Sequence, residues 1–122
     1  MPLEMKLTAI TLDCADPEAM AAFYREATGW ELHPGSDAAF AGVTRADGLS
    51  IGFQRVDGYR APRWPGQTVP QQSHFDFTVE DLDEAEALLL ELGASKPEHQ
   101  PGGDRWRVFT DPAGHPFCLT GA

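Results

Sequence analysis

Apolar and polar positions alternate along four short stretches of the chain, and an alternation of period two predicts strands with one wet and one covered face. Ile10, Leu12 and Cys14 share a face, against Ala9, Thr11 and Asp13 on the other. Phe75, Phe77 and Val79 oppose His74, Asp76 and Thr78 in the same way. Ile51 and Phe53 oppose Ser50, Gly52 and Gln54, and Phe117 and Leu119 oppose Pro116, Cys118 and Thr120. After the first and second of these stretches the period lengthens to that of a helix. Met20, Phe23 and Tyr24 mark one helix, and Leu82, Ala85, Leu88, Leu89 and Leu92 form the apolar stripe of the other. Asp16 followed by Pro17, and Asp81 followed by Glu84, are helix starts, because each aspartate can accept from the unpaired first-turn amides. Gly29 and Gly93 stand where a left-handed residue ends a helix.

These signals repeat. The caps Asp16 and Asp81, the stops Gly29 and Gly93, and the turn glycines Gly48 and Gly114 are separated by 65, 64 and 66 residues. Thr44-Arg45-Ala46-Asp47-Gly48 aligns with Thr110-Asp111-Pro112-Ala113-Gly114, and a further strand follows each. Three landmarks at nearly one spacing predict two copies of one module. In both copies the face opposite the large apolar side chains is small and polar. A sheet face made of Ala, Thr, Gly, Ser, Gln, His and Asp is wet surface or the wall of a cavity. Residues 55–72 between the copies carry no periodicity. They are rich in Pro and Gly and hold Arg55, Tyr59, Arg60, Arg63 and Trp64, which reads either as a linker that packs Trp64 or as a flap over the cavity.

Size and charge narrow the classes. The 122 residues suit one domain, and 42% apolar with 23% charged residues is a globular composition. Nine basic against nineteen acidic side chains leave a formal charge of −10, which repels phosphate backbones and anionic lipid and so argues against nucleic-acid and membrane partners. Seven of the acids fall among residues 76–91, where they serve as the wet face and cap of the second helix. The start Met1-Pro2-Leu3-Glu4 is not a secretory signal, and no apolar run approaches a membrane span. Cys14 and Cys118 belong to no Cys-x-x-Cys pair and read as reduced thiols, so the expected location is cytoplasmic.

The strand Leu7–Asp16, the segment Phe23-Tyr24-Arg25 to Gly29-Trp30, the run His74-Phe75-Asp76-Phe77-Thr78-Val79-Glu80-Asp81-Leu82 and the turn Thr110-Asp111-Pro112-Ala113-Gly114-His115-Pro116-Phe117 together resemble the vicinal oxygen chelate superfamily. That group holds glyoxalase I, extradiol dioxygenases, and fosfomycin and bleomycin resistance proteins. Trp64-Pro65 and the Phe117-Cys118 ending are similar to the small glyoxalase-like domain proteins. The resemblance implies an α+β fold of two tandem βαβββ modules whose mixed sheets curl into a half-open barrel. It implies a single domain over residues 1–122, with modules at about 5–54 and 73–122, and a homodimer.

In metal-using relatives the ligands come from the first and last strands of the modules. Carried over, those positions fall on Ala9, Gly52, His74 and Cys118, of which His74 alone is a typical ligand. A catalytic zinc needs about three protein ligands, so no metal cofactor is expected; a divalent ion at His74 is the alternative. Asp76 lies on the face of His74 and can orient or charge its imidazole for proton transfer. The expected ligand-binding set is Trp64, Gln54, Thr11, Cys118, Trp106 and Arg63, with Trp30 as further flat apolar area and the acidic shell favouring a cation. His33 and His99 fall in loops and are expected to be solvated. Three functions follow: metal-free binding of a small organic molecule, lyase or isomerase chemistry on a carbonyl compound by His74 and Asp76, and glyoxalase-type metal chemistry, which Ala9 and Gly52 disfavour.

Overall fold

The computed structural model describes residues 2–122 and divides into two compact units, residues 1–59 and 60–122. Most of the Pro- and Gly-rich segment thus belongs to the second unit. In the first unit, β1 (Ala9–Cys14) leads into α1 (Pro17–Thr28), then β2 (Glu31–Leu32), β3 (Phe40–Thr44) and β4 (Ser50–Arg55). The sheet order is β1-β4-β3-β2, with β1 parallel to β4 and the other pairs antiparallel.

Both ends of α1 follow from the sequence. Asp16 accepts from the Ala19 amide at 3.1 Å, Pro17 occupies the first turn, and Gly29 closes the helix at φ 74° with its N–H on Arg25 O. The buried face of α1 places Met20, Ala21, Phe23 and Tyr24 against Val43, Ile51 and Phe53 of the sheet, with the Tyr24 ring stacked on Phe53 at 5.4 Å.

The second unit repeats this with one loss. It contains β5 (Phe75–Val79), α2 (Leu82–Leu92), β6 (Trp106–Thr110) and β7 (Pro116–Gly121), in the order β5-β7-β6 with β5 parallel to β7. Asp81 caps α2 by accepting from Glu84 N at 3.0 Å, and Gly93 ends it at φ 112°. The turn glycines Gly48 and Gly114 both adopt positive φ, 95° and 88°, as their shared motif predicts.

The expected second strand of this module shrinks to one bridge, Ser95 with Thr110. Its counterpart in the first unit is the Glu31–Thr44 pair, and there the ladder continues with His33 N donating to Gly42 O at 2.8 Å. Two residues beyond Ser95 stands Pro97, which has no N–H to donate. The Gln100 side chain takes over. Its Nε2 donates to Val108 O and its Oε1 accepts from Val108 N, both at 2.9 Å, so an amide side chain pairs with β6 as a strand backbone would.

The stripe on α2 is also narrower than its leucines predict. Leu89 is buried, Leu82, Ala85 and Leu92 are half-buried, and Leu88 is exposed. Glu86 lies half-covered instead, held by Lys96 at 2.9 Å and Arg107 at 3.5 Å. No helix among the described residues is long and apolar enough to cross a membrane.

Candidate functional site

Strand register brings the chemistry of the second unit together. β5 and β7 run parallel with Asp76 opposite Cys118, and His74 precedes Asp76 by one pleat repeat, so all three project from one face. Their ligand-type atoms lie within 4.8 Å of one another. His74 Nε2 stands 3.4 Å from Asp76 Oδ1, with the carboxylate well exposed. Cys118 is buried, and its thiol is pushed up to about 11 by desolvation and by the Asp76 carboxylate, both as a charge and as a hydrogen-bond acceptor. At neutral pH the group is therefore a protonated donor to Asp76 rather than a nucleophile.

Beside this cluster is a depression of about 40 Å³ lined by Trp64, Gln71, His74, Trp106, Val108, Pro116 and Cys118. The structure thus gathers four of the expected residues, His74, Cys118, Trp64 and Trp106, with Asp76 in contact with His74. Arg63 is exposed and does not line it; its backbone N–H closes a turn onto Val69 O at 2.7 Å. Trp64 stands edge-on to His99 at 5.0 Å, so His99 is an aromatic neighbour of the site rather than only a solvated loop side chain.

Two residues of this region carry no sequence signal. Gln71 Oε1 is buried and has no hydrogen-bond partner. Gly102 is buried flat against Trp106, and a Cβ there would overlap the indole ring and press on the Trp106 carbonyl. Neither a lone Gln nor a loop Gly belongs to a motif, and only the folded loop reveals their neighbours.

In the first unit, Thr11 and Gln54 lie exposed on β1 and β4, where Thr11 pairs with Gly52 and Gln54 with Asp13. A separate depression of about 300 Å³ is lined by residues that include Ala9, His33, Phe40, Ser50 and Gly52. His33, expected to be solvated, is half-buried there, its ring 6.4 Å from that of Phe40. The Phe40 ring covers Gly52, so closely that a Cβ on residue 52 would meet its Cζ at 2.5 Å.

That geometry tests the metal-ligand positions of the first unit. Ala9 and Gly52 offer no donor atom, and an aromatic edge fills the ground above Gly52. The first unit therefore supplies no metal donor at these two positions. In the second unit His74, Asp76 and Cys118 supply a nitrogen, an oxygen and a sulfur, the number of protein ligands an open zinc site uses. Asp76 extends the donor set that the ligand positions alone predicted.

Tandem units, each opening with a strand and helix and closing on a parallel return strand, with a polar face opposite the helix, define the chain as a protein of the vicinal oxygen chelate fold. Its sequence places it further. The model of the glyoxalase-like domain matches residues 9–120, and the chain belongs to that family.

Solved structures agree on the fold. A glyoxalase/bleomycin resistance/dioxygenase family enzyme from Burkholderia phytofirmans PsJN superposes with a TM-score of 0.73 at 19% identity, covering 96% of this chain and 98% of that one. The fosfomycin resistance protein FosX from Listeria monocytogenes, in a variant complexed with Mn(II) and 1S,2S-dihydroxypropylphosphonic acid, gives 0.73 at 22%, covering 98% and 93%. The bleomycin-binding protein of Streptomyces verticillus, complexed with copper(II)-bleomycin, gives 0.61 at 19%, covering 99% of both chains. No curated protein sequence matches the chain.

Proposed function

We propose that this glyoxalase-like protein binds a small organic molecule at the Trp64–Trp106 face of its second unit, without a catalytic metal, and releases it unchanged. The observation that carries the reading is the depression itself, where two indoles and an imidazole border a buried acceptor. Flat aromatic walls with a few convergent polar groups are the usual make-up of small-molecule sites. One fact supports the absence of metal: Ala9 and Gly52 carry no donor atom, and the Phe40 ring covers Gly52. Arg63 belongs to the proposed binding set as an outer contact. The reading includes a cytoplasmic homodimer that does not bind nucleic acid, consistent with the charge of −10.

The His74–Asp76–Cys118 cluster favours a second reading, an enzyme of the lyase or isomerase type. His74 would move a proton at the substrate while Asp76, 3.4 Å away, orients and charges the imidazole. In its metal form, the three side chains would hold a divalent cation that polarises a substrate carbonyl.

A native mass spectrum of the purified protein separates the readings. The first predicts an organic adduct or the bare protein, with no stoichiometric metal. About one divalent ion per chain, lost in His74→Ala, would overturn it. A bound compound converted to product on incubation would shift the assignment to the enzyme.

A further inference from the structure

We propose that residues 3–7 are a contact surface between two copies of this chain, pairing as antiparallel strands about a two-fold axis at Met5. The proposal rests on the homodimer of the reading above, gives it a surface, and needs no ligand. Leu3, Met5 and Leu7 alternate with Glu4 and Lys6, the pattern of a strand with one apolar face. All three apolar side chains nevertheless stand in solvent, 82%, 85% and 67% exposed. Residues 3–7 make no hydrogen bond or ion pair with another described residue. Nor do they prolong the core-facing side of β1. Apolar positions are odd up to Leu7 and even from Ile10, so a straight continuation carries them opposite Ile10, Leu12 and Cys14. Their cover must come from outside that packing.

Charge selects both the partner and the register. Leu3-Glu4-Met5-Lys6-Leu7 is symmetric in polarity about Met5 and antisymmetric in charge. With Met5 opposite Met5, Glu4 of each copy faces Lys6 of the other, and Leu3 faces Leu7, which is the self-complementarity of a two-fold interface. A slip of one residue sets apolar side chains beside polar ones along the whole ribbon. A slip of two sets Glu4 against Glu4, or Lys6 against Lys6. The limits of the pairing follow as well. The next position would oppose Thr8 to Pro2, which has no N–H to donate, and Thr8 O already accepts from Ser50 N at 2.9 Å.

Sedimentation equilibrium of the full chain and of charge variants, all at one ionic strength, tests this. The unmodified protein should be dimeric. E4K leaves the segment with two cations and K6E leaves it with two anions, so either alone turns both cross-strand pairs repulsive. Each should dissociate at least about tenfold more readily. Net charge alone would act otherwise, since E4K lowers the repulsion between two acidic chains and would tighten the dimer. An equal mixture of E4K and K6E should restore the dimer, and the double swap E4K/K6E should dimerise as the unmodified chain does. Both positions are exposed, which keeps these variants folded. A dimer that neither single variant weakens would overturn the contact at residues 3–7 and leave the homodimer standing. Weakening that the mixture does not reverse would overturn the register. A monomer at every concentration would overturn the contact and the homodimer together.

Discussion

Side-chain environments in the second unit decide what its reactive groups can do. Cys118 is the clearest case, because β7 buries it and the parallel register sets it beside a carboxylate. The raised thiol pKa has a definite sign. The folded state holds the proton more tightly than the unfolded chain, so this contribution to stability is complete below pH 9. It is lost as the pH rises from 9 towards about 11. Alkylation by iodoacetamide, located by peptide mapping, should label Cys118 slowly at pH 8 and climb about tenfold per pH unit towards 11, whereas the urea-unfolded chain levels off near pH 9. A plateau near 9 in the folded protein would show that neither burial nor Asp76 raises the thiol. The sequence makes His74, Asp76 and Cys118 legible as one cluster, because alternation puts each on the polar face. Gln71 and Gly102 stay hidden, since their roles arise from loop conformation that no periodicity encodes.

At the scale of elements, local chemistry reads well where it is self-contained. Asp16 and Asp81 cap their helices, and Gly29 and Gly93 close them in the left-handed region. What the repeat does not convey is that one module replaces a strand with a side chain. Pro97 stops the ladder after Ser95, and Gln100 bonds both the N–H and the C=O of Val108, a fully buried residue. Gln100→Ala would strip partners from two buried backbone groups at once. At about 1–3 kcal/mol for each unmet group, the variant should lose roughly 2–6 kcal/mol in urea unfolding with an unchanged m-value. Gln100→Glu restores an acceptor for Val108 N but no donor for Val108 O, so it should fall between the two. A loss below about 0.5 kcal/mol in the alanine variant would mean that water replaces the side chain.

Across the whole molecule, two modules of one element order bury their helices unequally. From α1, Met20, Ala21, Phe23 and Tyr24 enter the core, whereas from α2 Leu89 alone is fully covered. The sequence points the other way, because α2 carries five leucines in eleven residues. Leucine content reports how much apolar surface a helix has, and the sheet beneath decides how much of it is covered. Here three strands lie in the second unit and four in the first. The acids of α2 compensate only in part: Arg107 holds Asp83 at 2.8 Å and reaches Glu86, and the last turn has no basic residue to oppose the helix dipole. Local opening free energy follows buried apolar contact, so native-state hydrogen exchange should show the amides of α2 opening before those of α1. A difference of at least about tenfold in protection, or 1.4 kcal/mol, is expected between the central turns of the two helices. Equal protection would mean that Leu88 and Leu90, 44% and 43% exposed in the single chain, are covered in solution. Since α2 follows the strand that carries Asp76, the candidate site sits in the unit whose helix opens first.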